Sequence, residues 1–346
     1  MKFIVCLSTG FEGVMYPIPF AAPQDFIRQA QLCERLGYHS VWGNDHVTTQ
    51  DYVRELFPDT PPNFYEPTIV LAAIAAVTTK LKLGTAITVL PMREPVYLAK
   101  QAVTLDQMSG GRFIMAGGDG AAIDRAEPVL SAYREEFAAW GGSRVAGARR
   151  GDMMDEGLEA MHKLFTEPRS SYDGKYYSFK DLEMFPKSVA QPFPLYIGGH
   201  NMESLERTAR WGQGWLGGWR PIKEMEERIA IIKRRATELG RDPREIEIAP
   251  QFSVTIDRTM EAAEKRYMES GLVAHRKSLA YTGRDLSHQV LANLVGSPEV
   301  ILEKIHKLRS IGVDHCCALM FPASSVAEMD EQVEWFAAEV ASKFGK

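Results

Sequence analysis

The sequence predicts a parallel (β/α)8 barrel, of the TIM-barrel type, with several insertion segments. Three observations lead to this α/β fold: strands and helices alternate along nearly the whole chain, the strand segments are apolar throughout, and turn signals separate the elements. The segment from Glu66 to Gly118 contains all three, because an Ala-rich helix, an apolar strand, a second helix and a Gly-ended strand follow one another. Strands that are apolar on both faces are typical of a parallel sheet covered by helices.

The elements follow in order. The first helix is predicted to begin at Pro23, which suits the first helical position, and to stop at Gly37, which suits the residue after a helix. Pro91 ends the third strand, and Gly110-Gly111 ends the helix that precedes the fourth. Strands are predicted near Lys2–Ser8, Ser40–Gly43, Leu81–Val89, Arg112–Ala116, Leu195–Gly198, Gly214–Gly217, Ile246–Val254 and Asp314–Leu319. Helices are predicted near Pro23–Leu36, Pro67–Thr79, Glu94–Met108, Gly151–Phe165, Met202–Trp211, Ile222–Leu239, Pro298–Ser310 and Val326–Ser342.

The alternation also fits a doubly wound open sheet, which is the alternative fold. No G-x-G-x-x-G motif follows the first strand, and this counts against a dinucleotide-binding Rossmann unit. The chain has no internal repeat and no low-complexity linker, so we expect a single domain over residues 1–346. Four segments exceed a minimal barrel and are predicted insertions: about 44–65, 117–130, 170–185 and 266–296.

Three of these insertions carry a further expectation. Residues 44–65 form a long loop rich in proline and aromatic residues, and long loops in compact domains are often functional. Residues 266–296 lack clear periodicity and are predicted to form a lid over the site. Residues 170–185 contain Asp173-Gly174, which predicts a β-hairpin.

Composition excludes several classes of protein. The net charge of −5 and a pI near 6.0 give no basic footprint for nucleic acid. The one dense basic cluster, Lys233-Arg234-Arg235, has acidic neighbours and is interpreted as a solvated helix face. The apolar run from Phe3 to Leu7 is too short for a signal peptide or a membrane span, so we expect no membrane association and a cytoplasmic location.

The sequence carries no pattern for a metal or a covalent nucleophile. Its 4 cysteines show no C-x-x-C spacing, and those in apolar strand runs are expected to be buried thiols. Its 8 histidines show no H-x-H or H-E-x-x-H spacing, so no metal is expected. No G-x-S-x-G or Cys–His pattern is present.

Two positions could carry chemistry, because the active site of such a barrel lies at the C-terminal ends of its strands. Asp45 and His46 follow the second strand, where a histidine can move a proton near neutral pH. The alternative is a hydrogen-bonded structural pair. Gly198, Gly199, His200 and Asn201 follow the fifth strand and open a helix, a setting that suits a phosphate. The alternative there is a simple tight turn.

Two cations close to the third strand could assist an anion. Arg93 lies just past the strand and Lys100 on the helix that follows. Either is equally well explained as a surface charge.

Three blocks of sequence add a resemblance. They are GYHSVWGNDH from Gly37 to His46, LGTAITVLPMREPVYLAKQAVTLDQMSGGRF from Leu83 to Phe113, and PFPLYIGGHNMESLERTARWGQGW from Pro192 to Trp215. In residue identity, order and spacing they resemble the bacterial-luciferase-like flavin monooxygenases and their deazaflavin (coenzyme F420) relatives. The resemblance covers most of the chain and implies a barrel oxidoreductase.

The resemblance also assigns cofactor-binding residues. It places Thr85, Ala86 and Thr88 against the flavin ring, although ordinary strand propensity explains these residues equally well. Gly117 and Gly118, at the end of the fourth strand, would let the ring approach the backbone. Gly198, Gly199, His200 and Asn201 would hold the phosphate of the flavin side chain, and Asp45 with His46 would be catalytic.

The implied activity is a monooxygenase that uses reduced FMN and oxygen on a small organic substrate. A separate flavin reductase is expected as a partner, since no NAD-binding motif is visible, and a homodimer is expected through the Ala-rich Leu71–Val77 face. A hydride-transfer enzyme that uses F420 is the alternative. Less favoured are a flavin-storage protein without catalysis and a barrel enzyme of another kind, such as an aldolase, which needs a lysine or paired carboxylates at strand ends.

Three positions depart from the family pattern. Asp119 stands where relatives often carry a small residue. Ala121 falls near the catalytic glutamate of the F420-dependent sugar-phosphate dehydrogenases, and Gln50 replaces their tryptophan four residues after the histidine. The last two departures count against the sugar-phosphate dehydrogenase activity. FMN is favoured over F420 as the cofactor.

Overall fold

The computed structural model describes residues 1–48, 51–120, 148–278 and 288–345. The strands are β1 (Lys2–Leu7), β2 (Ser40–Gly43), β3 (Lys82–Thr85), β4 (Thr88–Val89), β5 (Phe113–Gly118), β6 (Ser170–Asp173), β7 (Ser178–Leu182), β8 (Leu195–Gly198), β9 (Gly214–Leu216), β10 (Glu247–Ile248), β11 (Gln251–Ile256), β12 (Leu294–Gly296) and β13 (His315–Met320). The helices are α1 (Pro23–Leu36), α2 (Asp51–Leu56), α3 (Pro67–Ala75), α4 (Pro95–Ser109), α5 (Arg150–Thr166), α6 (Met202–Trp211), α7 (Ile222–Glu238), α8 (Met260–Met268), α9 (Gly271–Ser278), α10 (Gln289–Ala292), α11 (Pro298–Ser310) and α12 (Val326–Glu339).

The main sheet is parallel and closes on itself. From β1 it runs through β2, β3, β5, β8 and β9 to β10 in one direction, and through β13 to β11 in the other. The Ala249 N–H donates to the carbonyl of Trp215 (2.9 Å), and the Asp314 N–H donates to the carbonyl of Ile248 (2.8 Å). Because β10 and β11 are consecutive in the chain, this one segment joins both ends of the sheet. The predicted barrel is therefore confirmed, and the open doubly wound sheet is wrong.

Two predicted strands are interrupted. The strand predicted over Leu81–Val89 divides into β3 and β4, separated by a cis peptide bond between Ala86 and Ile87. The strand predicted over Ile246–Val254 divides into β10 and β11 at Pro250, which has no N–H to donate to a neighbouring strand. Apolar composition predicted the length of both segments but carries no signal for these breaks.

Two insertions differ from expectation, and the 44–65 segment, predicted as a loop, contains the helix α2. The segment predicted as a lid over 266–296 contains β12, a buried strand that pairs in parallel with β11, and sequence reasoning missed it. The hairpin predicted over 170–185 is confirmed as the antiparallel pair β6–β7. The insertion predicted over 117–130 lies outside the described residues from 121 onward, as do residues 279–287 of the predicted lid.

The aromatic loop over 44–65 is fastened to the barrel by its second half. The Tyr65 N–H donates to the carbonyl of Thr9 (2.7 Å). The buried carboxylate of Glu12 accepts the N–H groups of Asn63 (2.7 Å) and Phe20 (2.7 Å). A carboxylate that receives two backbone donors compensates for its burial, so Glu12 holds the loop against the end of β1.

The core has two layers. One lies between sheet and helices, and the other fills the barrel interior with side chains such as Ile4, Trp42 and Tyr196. All 4 cysteines are buried, as expected for three of them, and burial raises the pKa of the Cys6 thiol to about 12. In the described part of the chain no helix is both long and apolar enough to cross a membrane.

Candidate active site

The C-terminal ends of the barrel strands meet at one end of the molecule, here called the mouth. β2 ends at Gly43, and the next three residues, Asn44, Asp45 and His46, stand at its rim. β5 and β8 end in Gly118 and Gly198 on the opposite side. The structure therefore brings the sequence-predicted residues of three separate blocks to one place.

Both carboxylate oxygens of Asp45 are engaged in contacts within the protein. Its carboxylate, 6% exposed, forms an ion pair with Arg93 (Oδ2 to Nη1, 2.6 Å) and accepts a second bond from Nη2 on Oδ1 (2.8 Å). Oδ2 also accepts the N–H of Val89 in β4 (2.9 Å). With both oxygens engaged, Asp45 acts as an anchor that fixes the rim of β2 to β4. The side chain of Arg93, considered above as an anion contact, is used here.

His46 lies beside two aromatic side chains. Its ring centroid is 6.3 Å from that of Phe11 and 5.6 Å from that of Phe64, which belongs to the 44–65 loop. The imidazole is partly buried. Aromatic walls keep bulk water away from a group that is to exchange a proton with a ligand.

Asn44 carries buried donors that have no partner. Its Oδ1 accepts the N–H of Gly10 (3.1 Å), which fixes the orientation of the amide. The Nδ2 atom makes no hydrogen bond with any described residue, although Asn44 is 2% exposed. A side chain on Gly10 would place Cβ 2.8 Å from Nδ2 and 3.3 Å from the His46 ring. Asn44 and His46 therefore pack directly against the Gly10 backbone, which brings the amide and the imidazole together at the rim.

The threonines of the third strand are structural. The Thr85 hydroxyl donates to the carbonyl of Ala116 and accepts its N–H, both at 3.1 Å. The Thr88 hydroxyl donates to that of Thr85 (3.0 Å). Both are buried, whereas Ala86 and the following Ile87 are partly exposed. Of the predicted ring-binding residues on this strand, Ala86 faces the mouth, and the two threonines hold the strand in place.

The glycines that end β5 and β8 surround a side chain that the sequence analysis did not single out. A Cβ on Gly198 would lie 2.7 Å from Ile87, and one on Gly118 would be closer still. A Cβ on Gly117 would lie 2.8 Å from Leu90. These glycines therefore admit Ile87 and Leu90 to the wall of the mouth, and Ile87 forms part of its floor.

Residues 198–201 form a sharp turn, called here the Gly198–Asn201 turn. Gly199 has φ 116°, and a Cβ there would collide with Ser204 Oγ. Asn201 caps α6, because its Oδ1 accepts the N–H of Ser204 (2.9 Å). His200 is exposed, and its carbonyl accepts a bond from Arg228 (3.1 Å). The turn offers a cradle lined by backbone and by Ser204, with the side chain of Asn201 already used.

A buried ion cluster stands beside this turn. Arg207 on α6 forms a bidentate pair with Asp155 on α5 (2.6 and 3.0 Å), and its Nη1 lies 4.0 Å from Asp119. Asp119 directly follows Gly118 at the rim of β5. Burial raises the pKa of the Asp119 carboxyl, and the nearby Arg207 and Arg150 oppose that rise.

Sequence reasoning missed three of these residues. Asn44 was passed over beside the Asp-His pair, although a polar residue at the end of an apolar strand was a usable signal. Ile87 had no signal, because an isoleucine in a strand is ordinary. Arg207 looked like any helix arginine. Lys100 lies away from the mouth, where its ammonium donates to the carbonyl of Phe185.

The fold is that of the (β/α)8 barrel enzymes, whose active sites lie at the end of the barrel where Asn44, His46 and the strand-ending glycines are found. The chain belongs to the luciferase-like monooxygenase family, whose sequence model matches residues 1–315. Its relatives include an FMNH2-dependent monooxygenase and an F420-dependent dehydrogenase. In the described residues no group of three or more His, Cys, Asp or Glu is arranged to hold a metal ion.

Relatives found by sequence include an uncharacterized protein and an FMNH2-dependent enzyme. An uncharacterized protein of Mycobacterium tuberculosis (strain H37Rv) is 30% identical over 242 residues, which cover 67% of this chain and 78% of that protein. The FMNH2-dependent dimethylsulfone monooxygenase of Pseudomonas putida is 24% identical over 337 residues, which cover 90% and 85%.

Solved structures agree on the fold. The oxygenating component of 3,6-diketocamphane monooxygenase from Pseudomonas putida, in complex with FMN, has a TM-score of 0.74 at 19% identity and covers 99% of this chain and 98% of its own. An F420-dependent secondary alcohol dehydrogenase also has a TM-score of 0.74, at 20% identity, covering 99% and 98%. The shared fold thus accommodates both cofactors.

Proposed function

We propose that this protein is a monooxygenase that uses reduced FMN and oxygen to oxidise a small organic molecule. The observation that carries the proposal is the mouth itself. Two strands end in glycine, the Gly198–Asn201 turn lies beside them with the Ser204 hydroxyl against its backbone, and Asn44 and His46 pack together against Gly10. Such a mouth suits a flat ring with a phosphate-bearing tail and a reacting molecule next to it.

The residues present fit such a cofactor. Ala86 and Ile87, partly exposed between β3 and β4, offer the apolar surface on which a ring packs. Gly199, at φ 116°, lets the Ser204 hydroxyl lie directly against the backbone of the turn, where it can bind a phosphate oxygen. Reduced flavin, when bound, supplies the electrons that activate oxygen.

The chain's own residues then supply position, protection and a proton. His46 holds or moves a proton beside the reacting molecule. The Asn44 amide donates to an acceptor oxygen of the reacting molecule. Its buried Nδ2 has no partner among the described residues, and this hydrogen bond offsets the cost of burying it. Asp45, through Arg93 and Val89, fixes the rim that carries both. Phe11 and Phe64 keep water from the imidazole.

FMN is favoured over F420 by the sequence departures. Ala121 has no carboxyl where the F420-dependent sugar-phosphate dehydrogenases carry glutamate, and Gln50 replaces their tryptophan. The F420-dependent alcohol dehydrogenase with the same fold keeps the deazaflavin enzyme as the second candidate. A flavin-storage role is disfavoured, since it has no use for His46.

Equilibrium binding of reduced FMN and reduced F420 under anaerobic conditions tests the proposal, with His46→Ala and the exposed His306→Ala as a matched control. We expect tight binding of FMN alone, in all three proteins, because His46 serves the reaction rather than the cofactor. Turnover by His46→Ala should fall by ~10²- to 10⁴-fold, the range for a proton-transfer group. Tight binding of F420 alone would replace the proposal by hydride transfer, and binding of neither would refute both.

Two partners complete the proposal. A separate reductase would deliver the reduced flavin. A second copy of the chain would cover α3, whose outward face is apolar: Ile69 is 67% exposed and Val77 42%, with Ala73 and Ala76 exposed between them. An apolar helix face of small residues suits close packing against its symmetry mate.

Sedimentation velocity at micromolar concentration tests the dimer. Ala73→Arg should shift the protein to monomer, because it places a charge in the centre of the apolar face. Ser342→Arg, an equal charge change at an exposed position far along the chain, should leave the dimer intact. A wild-type protein that sediments only as monomer would refute the dimer.

A further inference from the structure

One guanidinium nitrogen near the mouth, Nη1 of Arg207, has no hydrogen-bond acceptor among the described residues. Arg207 is 6% exposed, and its Nε and Nη2 donate to Asp155 (2.6 and 3.0 Å), with Nη2 also bonded to the carbonyl of Gly151 (3.1 Å). Its Nη1 makes no hydrogen bond to any described residue. The nearest acceptor is Asp119 Oδ2 at 4.0 Å, which is beyond hydrogen-bond distance. A guanidinium N–H group that has an ion pair but no hydrogen-bond acceptor can still donate to an anionic ligand.

Asp119, the neighbour of Arg207 Nη1, lies next to the Gly198–Asn201 turn by the register of the sheet. Arg207 follows Ser204 by three residues on α6, so the two side chains lie on one face of the helix. Gly117 pairs with Ile197 in the sheet, and the same register continued places Asp119 beside Gly199. Arg207 Nη1, Ser204 and Asp119 therefore lie near one another at the turn.

Asp119 is an unexpected neighbour for a phosphate. Its side chain is 22% exposed and lies at the rim, where a carboxylate repels an incoming anion. It is also the nearest acidic group to Arg207 Nη1, so it competes with any anion for that donor.

We propose that Arg207 Nη1 is the cationic contact for the phosphate of the cofactor tail, and that Asp119 competes with this phosphate for Arg207. The inference rests on the proposed function, because it requires a flavin-type cofactor at the mouth. Asp119 thereby sets the preference between phosphate-bearing and phosphate-free cofactors. Arg207 keeps its pair with Asp155 throughout and changes only the partner of Nη1.

Dissociation constants of reduced FMN and reduced riboflavin, measured anaerobically, test the proposal, since the two differ only in the phosphate. Asp119→Asn should lower the FMN dissociation constant roughly tenfold, the effect of removing one charge a few ångströms from a dianion in partly screened surroundings. The riboflavin constant should not change. F420 and its phosphate-free chromophore form a second pair for the same ratio.

Two further variants sharpen the test. Glu203→Gln removes an exposed charge from the same helix and should leave the FMN-to-riboflavin ratio as in wild type. Arg207→Lys keeps the charge but shortens the reach, so it should weaken FMN alone, and in that background Asp119→Asn should have a smaller selective effect, since only the direct repulsion of the phosphate is then relieved. Asp119→Asn touches no hydrogen bond of Arg207, so its result does not depend on a folding defect.

The outcomes separate the two proposals. Binding of both flavins with an unchanged ratio in Asp119→Asn would overturn this inference and leave the proposed function standing. Equal changes for FMN and riboflavin would also overturn it, since they indicate a structural effect. Failure of wild type to bind any of the four molecules would refute both.

Discussion

Acid should destabilise this protein through a histidine pair at the end of the barrel opposite the mouth. His39 and His315 stack with ring centroids 5.5 Å apart, and His315, 1% exposed, lies 3.1 Å from Glu247. Burial lowers the pKa of His39 to about 3, with help from the neighbouring His315 and Lys2. His39 is thus neutral in the folded protein where the unfolded chain, with a pKa of ~6.5, is protonated.

The sign and size follow from this difference. Between pH 6.5 and 3 the unfolded state binds more protons at this site, so stability falls as pH falls through that window. One such group contributes up to about 1.4 kcal/mol per pH unit. Because the His39 ring is only partly buried, we expect roughly half of that, or about 1 kcal/mol between pH 6.5 and 5.

His39→Asn should remove this contribution, since asparagine does not titrate and can still bond the Ser40 hydroxyl. Urea unfolding at pH 7, 6 and 5 measures it: the difference in free energy of unfolding between variant and wild type should move in favour of the variant by about 1 kcal/mol. Glu247, whose pKa is also lowered overall, loses its contribution only below pH ~4.5 and stays out of this range. The exposed His306→Asn serves as control. A variant that loses stability with acid as steeply as wild type would refute the reasoning.

Three other changes probe the fold and the mouth. Arg112→Lys should lower the free energy of unfolding by roughly 2–4 kcal/mol in urea titration, because the guanidinium bonds to five acceptors around the end of α3 and a lysine can replace few of them; a loss below 1 kcal/mol would contradict this. Gly199→Ala should weaken FMN binding more than Gly240→Ala, a glycine of φ 76° with open space around it, and equal effects would argue against the cradle. Asp45→Asn should cost roughly 3 kcal/mol in thermal unfolding, because it leaves the Arg93 charge poorly paired, and an unchanged melting temperature would refute its anchoring role.

The alternation of helices and strands, and the proline and glycine residues at their ends, made the barrel predictable from the sequence. The helix bounds at Pro23 and Gly37 follow from local conformational preferences, and both are found in the structure. The break at Pro250 and the strand at 294–296 depend on which neighbour each segment meets in the sheet. Such pairings are set by tertiary contacts that a local pattern does not contain.

The candidate site was predictable in position and less so in role. Asp45 and His46 stand at the mouth because strand ends do, which the fold alone dictates. Asp45 forms an ion pair with Arg93, which is 48 residues away in sequence. Only the folded structure shows this contact. The same holds for the Thr85 hydroxyl, which the sequence presented as a ring contact and the structure uses to tie β3 to β5.

The packing of Ile87 has an evolutionary consequence. One side chain occupies the space that glycine leaves on two different strands, at Gly118 and Gly198. An alanine at either glycine is admissible only together with a smaller residue at position 87. These three positions are therefore expected to vary as a unit among relatives, and the width of the mouth would be inherited as one trait rather than adjusted residue by residue.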